Sequence, residues 1–246
     1  MMDNSTDNLR GSSSPEQGHS LSTAVKICGL QDVEVLKSMI NLPVDYIGVV
    51  FAKSRRQITP EKAAELRSVL FEWSLHERPK LAGVFVNPTM QELKHVMETV
   101  SLDVIQLHGQ ESAEFCQQVK ELWHADVFKV VSFPKDETGQ KADQAALHRL
   151  NDYAGFVDAI LLDTFDPLYG GGSGKTFAWE RIPVYAEWAT ERGIAMFVAG
   201  GLQTDNVQHL IQTYRPYGVD VSSGVETEGL KDISKITAFV ERVKQA

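Results

Sequence analysis

The chain has 246 residues, of which 33 are acidic and 24 are basic, so its formal net charge at pH 7 is −9. This length allows one large domain or two small ones. The negative charge has the wrong sign for binding nucleic acid through the general field, so an anionic ligand must be held by a local device. No apolar run approaches the ~18 residues of a membrane span, and we therefore expect no membrane contact.

The amino-terminal 22 residues differ in composition from the rest of the chain. They are rich in Ser, Asn, Asp and Gly and carry almost no apolar side chain that could anchor them to a core. We expect a disordered tail over residues 1–22 and one folded domain over residues 23–246. No basic-then-apolar secretory signal is visible and only Cys28 and Cys116 occur, which predicts a reducing, cytoplasmic location.

From residue 24 onward, short β-branched or apolar runs alternate with segments of helical period. The predicted strands cover residues 24–28, 46–51, 81–86, 104–107, 127–132, 159–163, 195–199 and 219–222. Strand–helix units with short connections favour a parallel sheet, because each helix is the crossover between successive strands. Their number predicts a single (β/α)8 TIM barrel, whose usual size is ~250 residues. A doubly wound open sheet is the structural alternative.

Helix signals agree with this alternation. Thr89 and Glu92 form a predicted capping box, and Thr59 stands as a cap before a proline, Pro60, at the first helical position. Two segments show the i, i+3, i+4, i+7 spacing of a buried helical face. They are Leu93, Val96, Met97, Val100 and Val207, Leu210, Ile211, Tyr214.

Polar residues and glycines follow the predicted strands around the whole chain. Active sites of closed barrels lie at these strand ends, in the loops that lead into the helices. No GxGxxG motif follows the first strand, which favours the barrel over a nucleotide-binding open sheet. The candidate site is the set of residues at these strand ends: Cys28, Gly29, Phe51, Lys53, Ser54, Arg55, Arg56, Val86, Asn87, His108, Gly109, Ser132, Asp163, Thr164, Ala199, Gly200, Gly201, Ser222, Ser223 and Gly224.

Cys28 ends the first predicted strand. A lone cysteine in this position is most often a small buried hydrophobe. Strand alternation nevertheless puts Cys28 on the same face as Lys26, so that the thiol faces the barrel axis. We expect the helix that starts around Gln31 and Asp32 to lower the pKa of the thiol through its dipole. Cys116 lies in an apolar helical segment and is predicted to be part of the core.

Three further strand-end residues have both a structural and a chemical interpretation. Asp163 either bonds loop amides or, with its pKa raised by desolvation at the rim of an apolar barrel, acts as a general acid. Arg56 is either a solvated charge or a planar clamp for a carboxylate. We interpret His108 as a structural residue bonded to backbone, with substrate contact as the alternative.

The glycine clusters predict a phosphate site. Residues 170–176 resemble a nucleotide P-loop, but that pattern needs a glycine where Tyr169 stands. Gly174, the pair Gly200 and Gly201, and the run 222–224 follow strands six, seven and eight, where such barrels bind phosphate. Their backbone N–H groups would hold the anion without net positive charge. The seven histidines form no HExxH motif, so we expect no metal or other cofactor.

Seven ordered blocks of sequence resemble the phosphoribosylanthranilate isomerase family of tryptophan biosynthesis. The blocks are VKICG (25–29), KSRR (53–56), QLHG (106–109), LLDT (161–164), GGSGKTF (171–177), AGGL (199–202) and DVSSGVE (220–226). They span about residues 24–243. Seven blocks in order at the right strand ends are more specific than a likeness of fold alone.

The resemblance implies roles for individual residues. Cys28 corresponds to the general base and Asp163 to the general acid, while Arg56, with Arg55 as a weaker candidate, holds the anthranilate carboxylate. Asp220 is implied to lie close to the substrate. The implied reaction is an Amadori rearrangement of N-(5-phosphoribosyl)anthranilate to 1-(2-carboxyphenylamino)-1-deoxyribulose 5-phosphate. It needs a small-molecule substrate and no cofactor, and we expect a monomer or homodimer.

Two other function classes stay open at this point. A related phosphosugar barrel enzyme is the nearer one, but the histidine-pathway isomerases carry aspartates at the ends of strands one and five, where this chain has Cys28 and Ser132. An indole-glycerol-phosphate synthase needs a strand-end lysine acid that this chain lacks. The more distant class is a non-catalytic phosphate-ligand sensor, which would not require Cys28 and Asp163 together. Whether the loop at 164–177 closes as a lid also stays open.

Overall fold

Strands and helices alternate along the described chain. The computed structural model describes residues 22–73, 77–133, 140–164 and 179–246, without the side chains of residues 140–142. The barrel strands are β1 (Ala24–Cys28), β2 (Tyr46–Val50), β3 (Lys80–Phe85), β4 (Val104–Leu107), β5 (Asp126–Phe133), β6 (Ala159–Thr164), β7 (Ala195–Val198) and β8 (Gly218–Val221). The helices are α1 (Val33–Ser38), α2 (Pro60–Leu70), α3 (Met90–Thr99), α4 (Ala113–Trp123), α5 (Gln140–Asn151), α6 (Ile182–Glu191), α7 (Val207–Tyr214) and α8 (Ile233–Lys244).

Two predictions fall largely outside this description. The predicted tail, residues 1–22, is described only at Ser22, and the glycine loop at 164–177 is described only at Thr164. Gly174, the predicted phosphate contact in that loop, therefore lies outside the described residues. The disordered tail stays a prediction, and the question of a lid concerns residues outside those that the structure describes.

The eight strands form one closed parallel barrel in sequence order. Closure occurs between β1 and β8, where Lys26 is the partner of Asp220 in the strand register. The prediction of a (β/α)8 barrel is thereby confirmed, and the open sheet is excluded. Strands β1 and β4 match the predicted bounds, and the other six strands differ from them by one residue at one or both ends. Strand β8, for example, ends at Val221, so that Ser222 precedes a short 3₁₀ turn, Ser223–Val225.

The predicted helix starts are confirmed. Thr59 accepts a hydrogen bond from the backbone of Lys62, with Pro60 in the first turn of α2. Thr89 and Glu92 satisfy each other's backbone N–H groups in a capping box at the start of α3. Such caps supply partners for the amides that the first helical turn leaves unbonded. They fix where each connection from a strand end enters its helix.

The core has two layers, as strand alternation predicts. Val25 and Ile27 of β1 are fully buried in the larger layer between strands and helices. The smaller layer fills the barrel itself, where the rings of Tyr46, Phe128 and Phe197 pack with centroids 5.2–5.7 Å apart. These rings fill the interior beneath the carboxyl ends of the strands. A ligand that reaches the interior polar residues must therefore enter from those strand ends, which we call the mouth.

A small hairpin separates β8 from α8. Its strands, β9 (Glu226–Thr227) and β10 (Leu230–Lys231), pair antiparallel. The turn between them uses positive φ angles at Glu228 and Gly229. The hairpin returns Lys231 to the end of β8, where its Nζ donates to the carbonyl of Ser222 at 2.8 Å. Among the described residues, no helix is long and apolar enough to cross a membrane.

Candidate active site

Cys28 lies at the mouth, at the last residue of β1. Its side chain is buried, with 9% of the residue exposed. Gly48 is its register partner on β2, and a Cβ atom added to Gly48 would lie only 2.7 Å from the Cys28 sulfur. The carbonyl of Cys28 accepts a hydrogen bond from Ser222 Oγ at 3.1 Å. Gly48 makes room for the thiol, and Ser222, directly after β8, fixes the backbone of Cys28.

The thiol of Cys28 does not show the lowered pKa that was predicted for it. Helix α1 begins at Val33 with Asp32 as its N-cap, close to the predicted start, and its first amides are occupied by the Asp32 side chain, which accepts from Glu34 and Val35. Burial raises the pKa of the Cys28 thiol above its ordinary value, and the charge on Asp220 adds to this, while Lys26 and Lys231 act in the opposite direction. The net shift is upward. The side chains that favour a thiolate are therefore two lysines, Lys26 and Lys231.

Lys26 is fully buried two residues before Cys28 on the same face of β1. Its Nζ lies 3.0 Å from Asp220 Oδ2, and Asp220 is 8% exposed. Burial alone lowers the pKa of this lysine, but Asp220 and Cys28 outweigh it and raise the pKa above its ordinary value. Lys26 is therefore a buried ammonium that connects the strand carrying the thiol to the strand carrying Asp220.

Asp163 lies near the end of β6 and is 5% exposed. Its Oδ2 is 3.5 Å from Nε2 of His108 on the β4 side, and its Oδ1 accepts from the backbone N–H of Thr164 at 2.7 Å. A Cβ atom on Gly200, which has a φ of +79°, would lie 2.9 Å from Asp163 Oδ1. The carboxyl group is held between three elements and faces the histidine. The predicted upward shift of its pKa stays a prediction.

A second buried ion pair lies beneath His108. Lys129 Nζ donates to Glu111 at 2.9 Å and to the carbonyls of Leu107 and Gly109. Glu111 also accepts the backbone N–H of Gly109 and of Asn87. A carboxylate and an ammonium that bond the same loop from both sides restrict its conformation. The pair therefore fixes the backbone that carries His108.

Arg56 lies in the loop after β2 and is engaged by Glu226. Its Nε donates to Oε1 at 2.7 Å and its Nη2 to Oε2 at 3.0 Å. Glu226 also binds Arg55 at 2.7 Å and Lys231 at 2.8 Å. Although burial opposes ionisation, the hydrogen bond from Arg56 and the charge of Lys231 lower the pKa of Glu226. Three cations around one carboxylate leave this side of the mouth positive within an acidic protein.

The two predicted phosphate loops lie together. Gly200 and Gly201 both have positive φ angles, which favour glycine. A Cβ atom on Gly224 would lie 1.9 Å from the carbonyl oxygen of Leu202, so the loop after β7 packs directly on the turn after β8. Ser222 and Ser223 are partly buried at that turn. The arrangement brings both pairs to one part of the mouth.

The mouth therefore combines most of the predicted site. Contacts among β1, β8 and the segments that follow β2 and β8 connect Cys28, Arg56, Asp220 and Ser222. Asp163 of β6 lies beside Gly200, in the loop after β7. The sequence interpretation did not assign roles to five residues that the structure places there: Lys26, Glu111, Lys129, Glu226 and Lys231. In residues 22–73, 77–133, 140–164 and 179–246, no group of three or more His, Cys, Asp or Glu residues could hold a metal ion.

Comparison with known proteins gives one family. Residues 25–242 match the family model described as N-(5'phosphoribosyl)anthranilate (PRA) isomerase. An N-(5'-phosphoribosyl)anthranilate isomerase from Brevibacillus brevis is 45% identical over 222 residues, which cover 90% of this chain and 94% of that protein. The corresponding protein from Dehalococcoides mccartyi is 40% identical over 224 residues, covering 90% and 95% of the two chains.

Solved structures agree with the sequence relatives. The phosphoribosyl anthranilate isomerase from Thermotoga maritima superposes with a TM-score of 0.72 at 36% identity. The match covers 91% of this chain and 100% of that protein. Another isomerase, solved in complex with reduced 1-(o-carboxyphenylamino)-1-deoxyribulose 5-phosphate, gives a TM-score of 0.69 at 32% identity with the same coverage, 91% and 100%. On this extent of similarity, the chain belongs to the N-(5'-phosphoribosyl)anthranilate isomerase family.

Proposed function

We propose that the mouth of this barrel isomerises N-(5'-phosphoribosyl)anthranilate to 1-(2-carboxyphenylamino)-1-deoxyribulose 5-phosphate, with Cys28 as general base and Asp163 as general acid. Isomerisation of this substrate is the tryptophan-biosynthetic activity of the family to which the chain belongs. The observation that carries the residue assignment is the presence of a buried thiol and a buried carboxyl group at the ends of β1 and β6 of one closed barrel. Strand ends on one rim face a common ligand.

The chemistry divides between these two groups. Asp163 gives a proton to the ribose ring oxygen, the C1–O bond breaks, and the ring opens to a protonated imine on the anthranilate nitrogen. The Cys28 thiolate then removes the proton from C2, and the electron pair forms a C1–C2 double bond as the imine nitrogen becomes neutral. The resulting enolamine loses the C2 hydroxyl proton and gains a proton at C1 to give the ketone. The imine cation accepts the electron pair, so the scheme requires no metal or cofactor.

His108 supports Asp163 in this scheme. Its ring nitrogen lies 3.5 Å from the carboxyl group, and its loop is fixed by Glu111 and Lys129. A positioned acid within reach of the leaving oxygen contributes typically ~10²–10⁴ in rate. The side chain that the sequence interpretation treated as structural is therefore proposed to orient the acid.

The substrate's two anionic ends have different binding groups. Glu226 engages Arg56 through Nε and Nη2, which leaves the Nη1 side of the guanidinium to meet the anthranilate carboxylate. The phosphate would bind Gly200, Gly201, Ser222 and Ser223, and Gly174 completes this set from outside the described residues. The surplus positive charge around Glu226 favours anionic substrate at this side of the mouth. Asp220 is proposed to lie beside the substrate between these ends.

A fluorescence assay tests the function directly. Anthranilate attached to ribose 5-phosphate is fluorescent, and its rearrangement product is distinguished by a loss of that signal. Catalytic amounts of purified protein should cause complete, saturable decay, and protein carrying Cys28→Ala should cause it ~10²–10⁴ times more slowly. A signal change that stops at one equivalent of protein would indicate a phosphate-ligand sensor. If the fluorescence does not decay, turnover of a histidine-pathway aminoaldose would identify the protein as a histidine-pathway isomerase. Turnover of the rearranged product would instead identify an indole-glycerol-phosphate synthase.

Assembly and location remain proposals alongside the activity. The Thermotoga maritima relative is described as a dimeric enzyme and as monomers generated from it. We propose that this chain is likewise a monomer or homodimer, located in the cytoplasm, that binds its small-molecule substrate and no nucleic acid. Light scattering of the purified chain at working concentration would determine the assembly, and a mass above that of two chains would contradict the proposal.

A further inference from the structure

We infer that Lys26 is a positioning residue for the base: its ammonium, held by Asp220 inside the barrel, is the counter-charge that stabilises the thiolate of Cys28. The inference rests on the proposed role of Cys28 and deepens it. It assigns a function to a buried charge that the reaction scheme above does not itself use. It also names the side chain that most strongly offsets the effect of burial on the thiol.

The geometry fixes Lys26 beside the thiol. Alternate residues of a strand share a face, so Lys26 and Cys28 both point into the barrel from β1. Asp220 lies opposite Lys26 in the β1–β8 register and binds its ammonium at 3.0 Å. The ammonium is fully buried, and Asp220 and Cys28 both raise its pKa. A lysine bound by Asp220 within a closed barrel cannot move its charge to solvent.

Stability alone does not account for this pair. Replacing a buried ion pair with well-packed apolar groups is often neutral or stabilising, because desolvation offsets the attraction between the charges. The neighbouring interior positions Ala24, Tyr46 and Phe197 are already apolar or aromatic. Asp220 Oδ1 is buried and has no hydrogen-bond partner among the residues the structure describes. The pair is therefore an incompletely satisfied charge placed at the mouth, beside a thiol.

The charges that face Cys28 come from three elements. Lys26 on β1 and Lys231 on β10 favour the thiolate, and Asp220 on β8 opposes it, with Lys26 the strongest of the three. The neighbouring strand β2 contributes only Gly48 at the register position of the thiol. Burial of the thiol disfavours the thiolate. Removing Lys26 therefore leaves burial and Asp220 opposed only by Lys231.

Alkylation of Cys28 measures this effect without substrate. The thiolate is the form that reacts with iodoacetamide, so the pH dependence of the alkylation rate reports the pKa of the thiol. Cys116→Ala serves as the background, since Cys116 is fully buried in α4 and its pKa is raised to about 11, chiefly by burial. Modification of Cys28 is followed by intact mass. In Lys26→Met we expect the midpoint to rise by about one pH unit or more, which slows alkylation about tenfold below the midpoint.

A charge-matched series protects the test against misfolding. Lys26→Met leaves the Asp220 carboxylate buried without its cation, whereas Lys26→Met/Asp220→Asn removes both charges. Asp220→Asn alone removes only the group that opposes the thiolate. The expected order of midpoints is Asp220→Asn, then wild type, then the double variant, then Lys26→Met. Circular dichroism shows which variants fold. If Lys26→Met does not fold, the comparison of the double variant with the wild type carries the test.

The result that would overturn the inference is a folded double variant whose alkylation midpoint equals or lies below that of the wild type. A purely structural Lys26 predicts that outcome. The isomerase assay separates this failure from failure of the proposed function: normal turnover with unchanged alkylation midpoints rejects the role of Lys26 only. If the wild type shows no turnover but the alkylation midpoints follow the expected order, the proposed isomerase activity is rejected and the effect of Lys26 on the Cys28 thiolate is retained.

Discussion

The two ends of the barrel both carry ion pairs, but of opposite kinds. At the amino ends of the strands, Asp45, Asp103 and Asp158 directly precede β2, β4 and β6. Each accepts a backbone N–H from the strand before it, at 2.7–2.8 Å, and binds a partly exposed Lys or Arg. At the mouth, the pairs Lys26–Asp220, Lys129–Glu111 and Lys231–Glu226 are buried.

The difference indicates that the ion pairs at the amino ends stabilise the barrel, whereas those at the mouth serve the substrate site. A carboxylate that binds an exposed cation and a strand amide is satisfied locally, and its loss removes little more than that bond. A buried pair has lost its hydration, so removing one partner leaves a charge that nothing else neutralises. The barrel keeps such groups at the mouth, where a charged substrate can use them. The two ends should therefore respond differently to substitution.

The largest effect is expected at the two reacting groups. Cys28→Ala and Asp163→Asn should each lower kcat by ~10²–10⁴, because each removes one proton-transfer group from the transition state. Their unfolding curves should stay close to that of the wild type. The fluorescence assay under substrate saturation measures kcat, with Cys116→Ala as a cysteine control outside the mouth. Near-normal turnover in either variant would remove that residue from the reaction.

The fold was largely predictable because its determinants are local. The predicted strands at 24–28 and 104–107 match β1 and β4 residue for residue, and the capping box at Thr89 is formed as predicted. Period-2 and period-3.6 patterns depend on near neighbours, so the sequence displays them directly. The aspartates at the amino ends of the strands also have a visible signal in the sequence. Asp45, Asp103 and Asp158 each stand between an apolar residue and a predicted strand.

The site was predictable only as a set of positions. The strand ends identified Cys28 and Asp163, but the partners of buried charges are set by register and by loops distant in sequence. Glu226 reaches Arg56, 170 residues before it in the chain, because the hairpin folds back over the mouth. The same hairpin brings Lys231 to Glu226. The lowered pKa predicted for Cys28 was wrong for the same reason, since the sequence does not show that β8 brings the Asp220 carboxylate to Lys26 and Cys28.

The next largest effect is on stability, and it is measured by comparing one lysine from each end of the barrel. Lys129→Met should lower the free energy of unfolding by about 3–5 kcal/mol, because Glu111 remains buried without its cation. Lys80→Met, at the amino ends, should lower it by at most about 1 kcal/mol. The side chains of the first pair are 6% and 2% exposed, and those of Lys80 and Asp126 are 50% and 36% exposed. Urea denaturation measures both; equal destabilisation would contradict the distinction between the ends.

Glu226 should give the mouth a pH-dependent contribution to stability. Its pKa is lowered below 4.5 in the folded chain, since the hydrogen bond from Arg56 and the charge of Lys231 outweigh burial. A carboxylate with a depressed pKa stabilises the fold above its unfolded value and loses that contribution as pH falls through the folded value. The stability difference between wild type and Glu226→Gln should therefore be full at neutral pH and shrink in acid. Glu228→Gln, on the exposed turn of the same hairpin, is the control.

The smallest effect on stability is expected at the amino ends of the strands. Asp158→Ala removes the acceptor of the Val127 N–H and the partner of Lys120, and should lower the free energy of unfolding by about 1–2 kcal/mol. Lys120→Ala removes only the exposed ion pair and should lower it by less than about 1 kcal/mol. Neither substitution should alter kcat, because both residues lie at the end of the barrel opposite Cys28 and Asp163. A several-fold decrease in kcat with Asp158→Ala, in folded protein, would show that the two ends of the barrel are coupled.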